Sequence, residues 1–315
     1  MDFIFPNIFN QKSNRFYKFV IIGVKNLKHN EALLKAEKFQ QKMETIAQND
    51  YWKPQYHIAA PANWINDPNG FCFYKGEYHL FYQYHPYSSQ WGPMHWGHVA
   101  SKDLVNWELR PIALAPTDEY DKDGCFSGSA IEKDGNLYLL YTGHVDLDNS
   151  NGGNDRIETQ CLAVSHDGLC FDKVENNPVI KSLPENLNIK TEHFRDPKVW
   201  KHGDWYYTVV GVQTKEESGQ VVVYKSQDLI NWEFLNIMAT SSVKENLGFM
   251  WECPDLFEVN GKEVLIFSPQ GIGADGQVHI AGYYLGNFDY DKKEFIHGDL
   301  KRLDNGFEFY APQSF

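Results

Sequence analysis

Between Asn30 and Ala47 the apolar residues Ala32, Ala36, Phe39, Met43 and Ile46 or Ala47 recur at steps of three and four. That is the period of one helical face, with Asn30 placed to cap its start. From Tyr51 onward this period is lost. Short runs rich in Tyr, Phe, Val and Ile alternate with Gly, Asn and Asp turns, the pattern of many short antiparallel strands. The chain thus divides into a lead with one amphipathic helix (residues 1–50) and an all-β body (51–315).

The body repeats. Phe71-Cys72-Phe73-Tyr74-Lys75-Gly76-Glu77-Tyr78-His79-Leu80-Phe81-Tyr82 has the same strand-turn-strand pattern as the segment from Ala130 to Tyr141, and the pattern returns around Gly203 and Gly261. The turn glycines at 76, 135, 203 and 261 lie 59, 68 and 58 residues apart, a period suited to a four-stranded propeller blade with long loops. A second mark runs in phase with the first. Ser101-Lys102-Asp103-Leu104 closes on Trp107, Ser165-His166-Asp167-Gly168 on Phe171, and Ser226-Gln227-Asp228-Leu229 on Trp232, each as the polar turn before a blade's outer strand. A fifth unit opens at Asp304-Asn305-Gly306-Phe307-Glu308-Phe309-Tyr310, and the sequence stops at Phe315 with no room for its strands. The expectation is a β-propeller cut short in its fifth blade.

Three acidic motifs stand at the openings of the repeats' first strands: Asn66-Asp67-Pro68, Arg195-Asp196-Pro197 and Glu252-Cys253-Pro254-Asp255. In a propeller those positions face the central funnel. One such motif could simply cap a turn; three in register with an independent repeat point to chemistry. Glycoside hydrolysis needs one carboxylate at the oxocarbenium-like centre and a second that hands a proton to the leaving oxygen. The shorter Asp67 suits the nucleophile and the longer Glu252 the acid/base. Asp196, beside Arg195, is expected to be held ionised by the guanidinium and to act as a transition-state stabiliser.

Composition narrows the partners. A net charge of -13 repels phosphate backbones and anionic lipid, so nucleic acid and membrane surfaces are excluded as partners and a small-molecule sugar is favoured. Five Cys (Cys72, Cys125, Cys161, Cys170, Cys253) without a CxxC pair argue against a disulfide framework or a zinc site and for a cytoplasmic protein. Cys253 has no His orienter in its motif, so it either tunes Glu252 or packs behind it. His95 and His98 lack the companions of a metal site and read as strand or loop histidines; no metal and no cofactor are expected. Near the start, Lys12, Arg15 and Lys18 precede the apolar run Phe19 to Val24, which is too short for a signal sequence, and no stretch is long enough to span a membrane.

The run Asn63-Trp64-Ile65-Asn66-Asp67-Pro68-Asn69-Gly70, with Phe81-Tyr82-Gln83-Tyr84, Phe126-Ser127-Gly128-Ser129, Arg195-Asp196-Pro197 and Trp251-Glu252-Cys253-Pro254-Asp255, resembles glycoside hydrolase family 32. The resemblance covers Tyr51 to the end, and the preceding helix is similar to the lead of bacterial sucrose and sucrose-6-phosphate hydrolases. It implies a five-bladed β-propeller, a C-terminal β-sandwich that is missing here, and cleavage of a terminal β-D-fructofuranosyl bond with retention through a fructosyl-enzyme. The roles it implies are Asp67 as nucleophile, Glu252 as acid/base and Asp196 as stabiliser, with Trp64, Ile65, Asn66, Gln83, Trp91, Phe126, Ser127, Arg195 and Tyr310 lining the fructosyl pocket. Fructan hydrolysis, fructosyl transfer, or a truncated propeller that binds sugar without cleaving it are the alternatives. A phosphorylated sucrose would call on a cation such as Lys102, Arg110 or Lys198.

Overall fold

A computed structural model describes residues 26–54, 56–147, 155–241, 247–272, 278–306 and 309–315. The expectations for Lys12 to Val24, and part of the run expected to open the fifth blade, lie outside the described residues.

Among the described residues the β body forms four antiparallel sheets, each a blade built outward from an inner strand. Blade I holds β1 (Trp64–Tyr74), β2 (Glu77–His85), β3 (His95–Ser101) and β4 (Trp107–Leu109). Blade II holds β5 (Gly124–Lys133), β6 (Asn136–Asp146), β7 (Arg156–Ser165) and β8 (Asp172–Lys173). Blade III holds β9 (Ile189–His202), β10 (Trp205–Thr214), β11 (Gly219–Ser226) and β12 (Glu233–Thr240). Blade IV holds β13 (Met250–Val259), β14 (Lys262–Gln270), β15 (Gly282–Asp289) and β16 (Glu294–His297), with β17 (Lys301–Arg302) also on β15.

Both sequence repeats have a physical counterpart. The two-residue hairpin loops Lys75-Gly76, Asp134-Gly135 and Asn260-Gly261 have positive φ at both positions, the geometry whose twist matches flanking strands. The serine-aspartate mark forms the turn into the outer strand. Ser101 Oγ donates to Asp103 Oδ1, which also accepts the backbone N–H groups of Val105 and Asn106, and Leu104 takes a left-handed φ of 64°. Blades II and III repeat this with Asp167 and Asp228.

The core lies between blades. Tyr74, Phe81 and Trp96 of blade I pack with Leu137, Leu139 and Tyr141 of blade II, and Tyr207, Val209 and Val223 of blade III pack with Trp251, Leu265 and Phe267 of blade IV. Each fully buried side chain of this size contributes about 1.5–3 kcal/mol, so these seams hold the ring. The approach is close: a Cβ on Gly211 would lie 2.1 Å from the Trp251 carbonyl oxygen of the next blade.

Helix α1 (Leu27–Ala47) packs on blade I through Leu33 and Ala36, against Tyr82, Tyr84, Ile112 and Ala115. It begins before the expected Asn30, which lies within its first turn. Asn26 flanks the start and donates to Asp172 instead of capping. The buried line is His29, Leu33, Ala36 and Gln40, and Ile46 is exposed. Two polar residues on the inner face put the apolar count out of phase: the N–H of Ala115 donates to His29 Nε2.

Inner strands β1, β5, β9 and β13 stand side by side in that order. Residues 309–315 carry no strand of their own, and they join β13 to β1. The N–H of Ala311 donates to Ser268 Oγ, that of Ser314 to Asp255 Oδ2, and that of Phe71 to Gln313 Oε1, while Phe315 packs 4.4 Å from the Phe71 ring.

Candidate active site

Every inner strand carries one extra residue at the same level. The register slips between Ile65 and Pro68 in β1, between Phe126 and Gly128 in β5, across Asp196 and Pro197 in β9, and between Glu252 and Asp255 in β13. A bulge bends the strand and turns a side chain out of the ladder. Proline follows in three of the four, where no ladder N–H is needed. In the fourth, a Cβ on Gly128 would lie 2.1 Å from the Leu140 carbonyl oxygen, so only glycine fits. Asp67, Ser127, Asp196 and Cys253 hold equivalent positions, and Asn66, Phe126, Arg195 and Glu252 precede them.

These bulges bring the three expected carboxylates into one network. Ser127 Oγ donates to Asp67 Oδ2 at 2.8 Å, and the Cys253 thiol lies 3.6 Å from the same oxygen. Asp67 Oδ1 carries no hydrogen bond among the described residues. The Cys253 N–H donates to Asp196 Oδ2 at 2.9 Å, and its thiol lies 3.7 Å away. Cys253 therefore bridges Asp67 and Asp196. Burial, then the three nearby carboxylates, pushes its thiol far above the usual range, which suits a neutral donor and not a nucleophile.

Arg195 links the network to Glu252. Its Nη2 donates to Glu252 Oε1 at 2.7 Å and to Gln270 Oε1 at 3.2 Å, and Nη1 donates to Glu158 Oε2 at 3.3 Å and to His193 Nδ1 at 2.9 Å. The Tyr310 hydroxyl donates to Glu252 Oε2. Both oxygens of Glu252 are thus oriented by donors from outside its strand, Arg195 of β9 and Tyr310 of the segment 309–315.

One electrostatic expectation is corrected. Adjacency does not keep Asp196 in the ordinary carboxylate range, because Arg195 sends its Nη groups to Glu252 and Glu158 and only its Nε comes within 3.9 Å of Asp196. Burial outweighs the guanidinium and, with Glu252 and Asp67 nearby, raises Asp196 to about 7. Burial and the charge of Glu252 likewise raise Asp67 to about 6, against the donors Ser127 and Cys253.

The other expected residues separate by place. Phe126 stacks on His144, with centroids 4.0 Å apart and planes at 7°. Trp91, 58% exposed, meets the Phe126 ring at 6.3 Å, with the two planes at 88°. Trp64 is half-buried, with its N–H on the Ser88 carbonyl, and Ile65 and Asn66 are exposed at the mouth of β1. Gln83 is buried and donates its amide to the Cys125 carbonyl at 3.1 Å, so part of its capacity is structural. Of the cations considered for phosphate, Arg110 is engaged by Glu77 and Glu108, Lys198 by Asp255 and Ser314, and Lys102 is exposed in the turn after β3. His95 contacts the Pro93 carbonyl and His98 pairs with His79. Among the described residues no three His, Cys, Asp or Glu side chains gather as a metal would need, and no helix is long and apolar enough to cross a membrane.

Glu158, Thr142 and Gln160 escaped the sequence reading. The Asp196 N–H donates to Thr142 Oγ1, which donates to Gln160 Oε1, and Gln160 Nε2 donates to the Phe194 carbonyl. This chain supports Asp196 at its left-handed φ of 65°. The only sequence signal was polar residues within a strand otherwise fit for burial.

Residues 57–315 match the Glycosyl hydrolases family 32 N-terminal domain. The chain belongs to glycoside hydrolase family 32. Relatives in the family include the sucrose-6-phosphate hydrolase of Bacillus subtilis (strain 168), 46% identical over 87% of this chain and 56% of its own length. The raffinose invertase of Escherichia coli is 44% identical over 84% of this chain and 54% of its own length. A mutant of the Bombyx mori family 32 beta-fructofuranosidase in complex with sucrose superposes with a TM-score of 0.79 at 43% identity, covering 89% of this chain and 58% of that one. The chain spans just over half the length of these family members.

Proposed function

We propose that this chain carries the catalytic propeller of a retaining β-fructofuranosidase acting on sucrose or sucrose-6-phosphate. The observation that supports this most is the convergence of Asp67, Asp196 and Glu252 on equivalent inner-strand bulges, joined by Cys253 and Arg195.

Both donors to Asp67 fall on Oδ2, which leaves Oδ1 to attack the anomeric carbon of the fructosyl unit. As that bond forms, the bond to the leaving oxygen breaks and Glu252 gives that oxygen its proton. To do so Glu252 exchanges one of its donors, Tyr310 or Arg195, for the substrate oxygen. Glu252 then takes a proton from water, and the water oxygen displaces Asp67. The free Oδ1 of Asp196 is available to sugar hydroxyls. With several buried carboxylates in one site, the protons belong to the set, and one is retained more readily than by an isolated carboxylate.

The fold reading extends to a fifth blade. Tyr310-Ala311-Pro312-Gln313 repeats the pattern of β9 and β13: proline follows a left-handed residue, Ala311 at φ 51°, and Tyr310 stands where Glu252 stands in blade IV. Its contacts on both β13 and β1 support a closing inner strand. Five free cysteines support a reducing, cytoplasmic compartment. The test is a side-by-side assay of the purified chain on sucrose, sucrose-6-phosphate and inulin, with NMR detection of the first-formed fructose anomer. Release of β-fructose is expected; inversion, or no cleavage of any of the three, would overturn the reading.

A further inference from the structure

Glu158 is a charged side chain with no solvent exposure, in the middle of blade II, outside the three acidic motifs. Its Oε2 accepts the Phe194 N–H at 2.9 Å and Arg195 Nη1 at 3.3 Å. Its Oε1 faces His144 Nδ1 at 3.4 Å. His144 in turn stacks on Phe126, whose neighbour Ser127 holds Asp67. Glu158 therefore touches Arg195, which holds Glu252 and adjoins Asp196, and reaches the support of Asp67 only through His144 and Phe126, while touching none of the three carboxylates.

Burying an ion pair is costly, and apolar residues of similar volume commonly stabilise a core better. What the pair supplies here is geometry and charge. An Arg guanidinium has two Nη ends in a rigid plane. With Nη1 tied to Glu158, rotation about Nε–Cζ is blocked and Nη2 is fixed on Glu252. The charge of Glu158 also offsets that of Arg195, which would otherwise act undiminished on Glu252, Asp196 and Asp67.

We propose that Glu158 is a positioning residue: it anchors one end of the Arg195 guanidinium, fixes the other end on Glu252, and withholds part of the positive charge from the funnel carboxylates. Only the catalytic consequence rests on the fructosyl-hydrolase reading. The charged and titratable groups around Glu158 are His144 and Asp146 on β6, Arg156 on its own strand β7, and His193 and Arg195 on β9; Glu252 and Asp67 lie beyond Arg195. Burial and Arg195 lower His193 to about 4, so near neutrality it is uncharged and adds no positive charge beside Glu158.

The test uses the full chain and two variants. Glu158→Gln keeps the shape and an acceptor for Phe194 and removes the charge; Glu158→Asp keeps the charge and shortens the reach. Titration by ¹³C-carboxyl NMR, with Asp67 and Asp196 assigned through their Asn variants, is expected to give midpoints lower by on the order of one pH unit in Glu158→Gln, the effect of removing one charge several Å away. Glu158→Asp should bring them back toward wild type. Unmoved midpoints in folded Glu158→Gln would overturn the proposal. A second readout covers failure of that variant to fold. The Nη protons of Arg195 should be separately resolved by NMR in wild type and averaged in Glu158→Asp; averaging already in wild type refutes the anchor. In turnover, the alkaline limb of kcat/KM on sucrose should move to lower pH in Glu158→Gln. Absence of wild-type turnover counts against the proposed function alone, because both NMR readouts test the anchor without it.

Discussion

The propeller uses aspartate in two different ways. Asp103, Asp167 and Asp228 occupy the outer turns, and Asp67 and Asp196 the inner bulges. Both settings are backbone irregularities: the outer turns of Asp103 and Asp228 carry a left-handed residue, Leu104 or Leu229, and of the inner bulges those of Asp196 and Cys253 do, while that of Asp67 does not. Their electrostatics are opposed. Outside, the N–H groups of Asn106 and Val105 hold Asp103 far below the ordinary range. At Asp228 burial is the largest single influence and raises the carboxyl, but the Asn231 N–H and amide, the Ile230 N–H and the Ser226 hydroxyl together outweigh it, and the carboxyl falls to about 2. Inside, burial and neighbouring carboxylates raise Asp67 to about 6 and Asp196 to about 7. Number of donors and access to water decide the role of the side chain: in one setting a permanent anion that closes a turn, in the other a group poised to react.

The sharpest way to break this contrast is to make the same change in both places. Asp67→Asn should lower kcat on sucrose by about 10⁴-fold or more, because an amide forms no glycosyl ester, with a melting temperature at neutral pH no lower than that of wild type. Asp103→Asn should leave kcat within about twofold. Comparable kcat values for the two variants would dissolve the distinction. Glu252→Gln comes next, with a loss of about 10²–10⁴-fold and a flattened alkaline limb, since Gln cannot cycle a proton. A pH–rate profile parallel to wild type would remove Glu252 from the acid/base role.

Asp196→Asn probes the inner setting through stability. A carboxyl raised to about 7 in the folded chain, from about 3.9 when unfolded, favours folding fully below pH 4, and that contribution is lost as pH rises through 7. The amide does not ionise, so the variant should be more stable than wild type by roughly 1–3 kcal/mol at pH 8 and gain nothing at pH 4. Urea titrations at the two pH values measure this; a gain independent of pH would mean that charge is not the cause.

The two settings also differed in how legible they were. The outer turns read directly from sequence because serine, aspartate and the closing aromatic all bond within a few residues. The inner motifs were readable as Asp-Pro and Glu-Cys-Pro, but their common bulge was not, since it depends on register with a partner strand. That is why Ser127 and Cys253 were not recognised as equivalents of Asp67 and Asp196. Glu158 was hidden for the related reason that its partners, Arg195 and His144, are 37 and 14 positions away. The buried face of α1 was misphased because His29 and Gln40 fill apolar positions.

The smallest effect belongs to the outer setting. Asp228 accepts N–H groups from Ile230 and Asn231, the Ser226 hydroxyl and the Asn231 amide. Asp228→Ala removes all four and frees the turn that leads into β12. The residue is largely exposed, so solvent screening reduces the charge contribution and the expected cost is roughly 0.5–1 kcal/mol at pH 7. The sign with pH is the reverse of Asp196. A folded value near 2 against about 3.9 unfolded gives stability that is present above pH 4 and lost as pH falls through 2. Wild type and Asp228→Ala should therefore differ in urea midpoint at pH 7 and converge near pH 2, with kcat unaffected at pH 7. If kcat fell with stability intact, the outer turn would be coupled to the funnel, and the division between a structural rim and a chemical centre would fail.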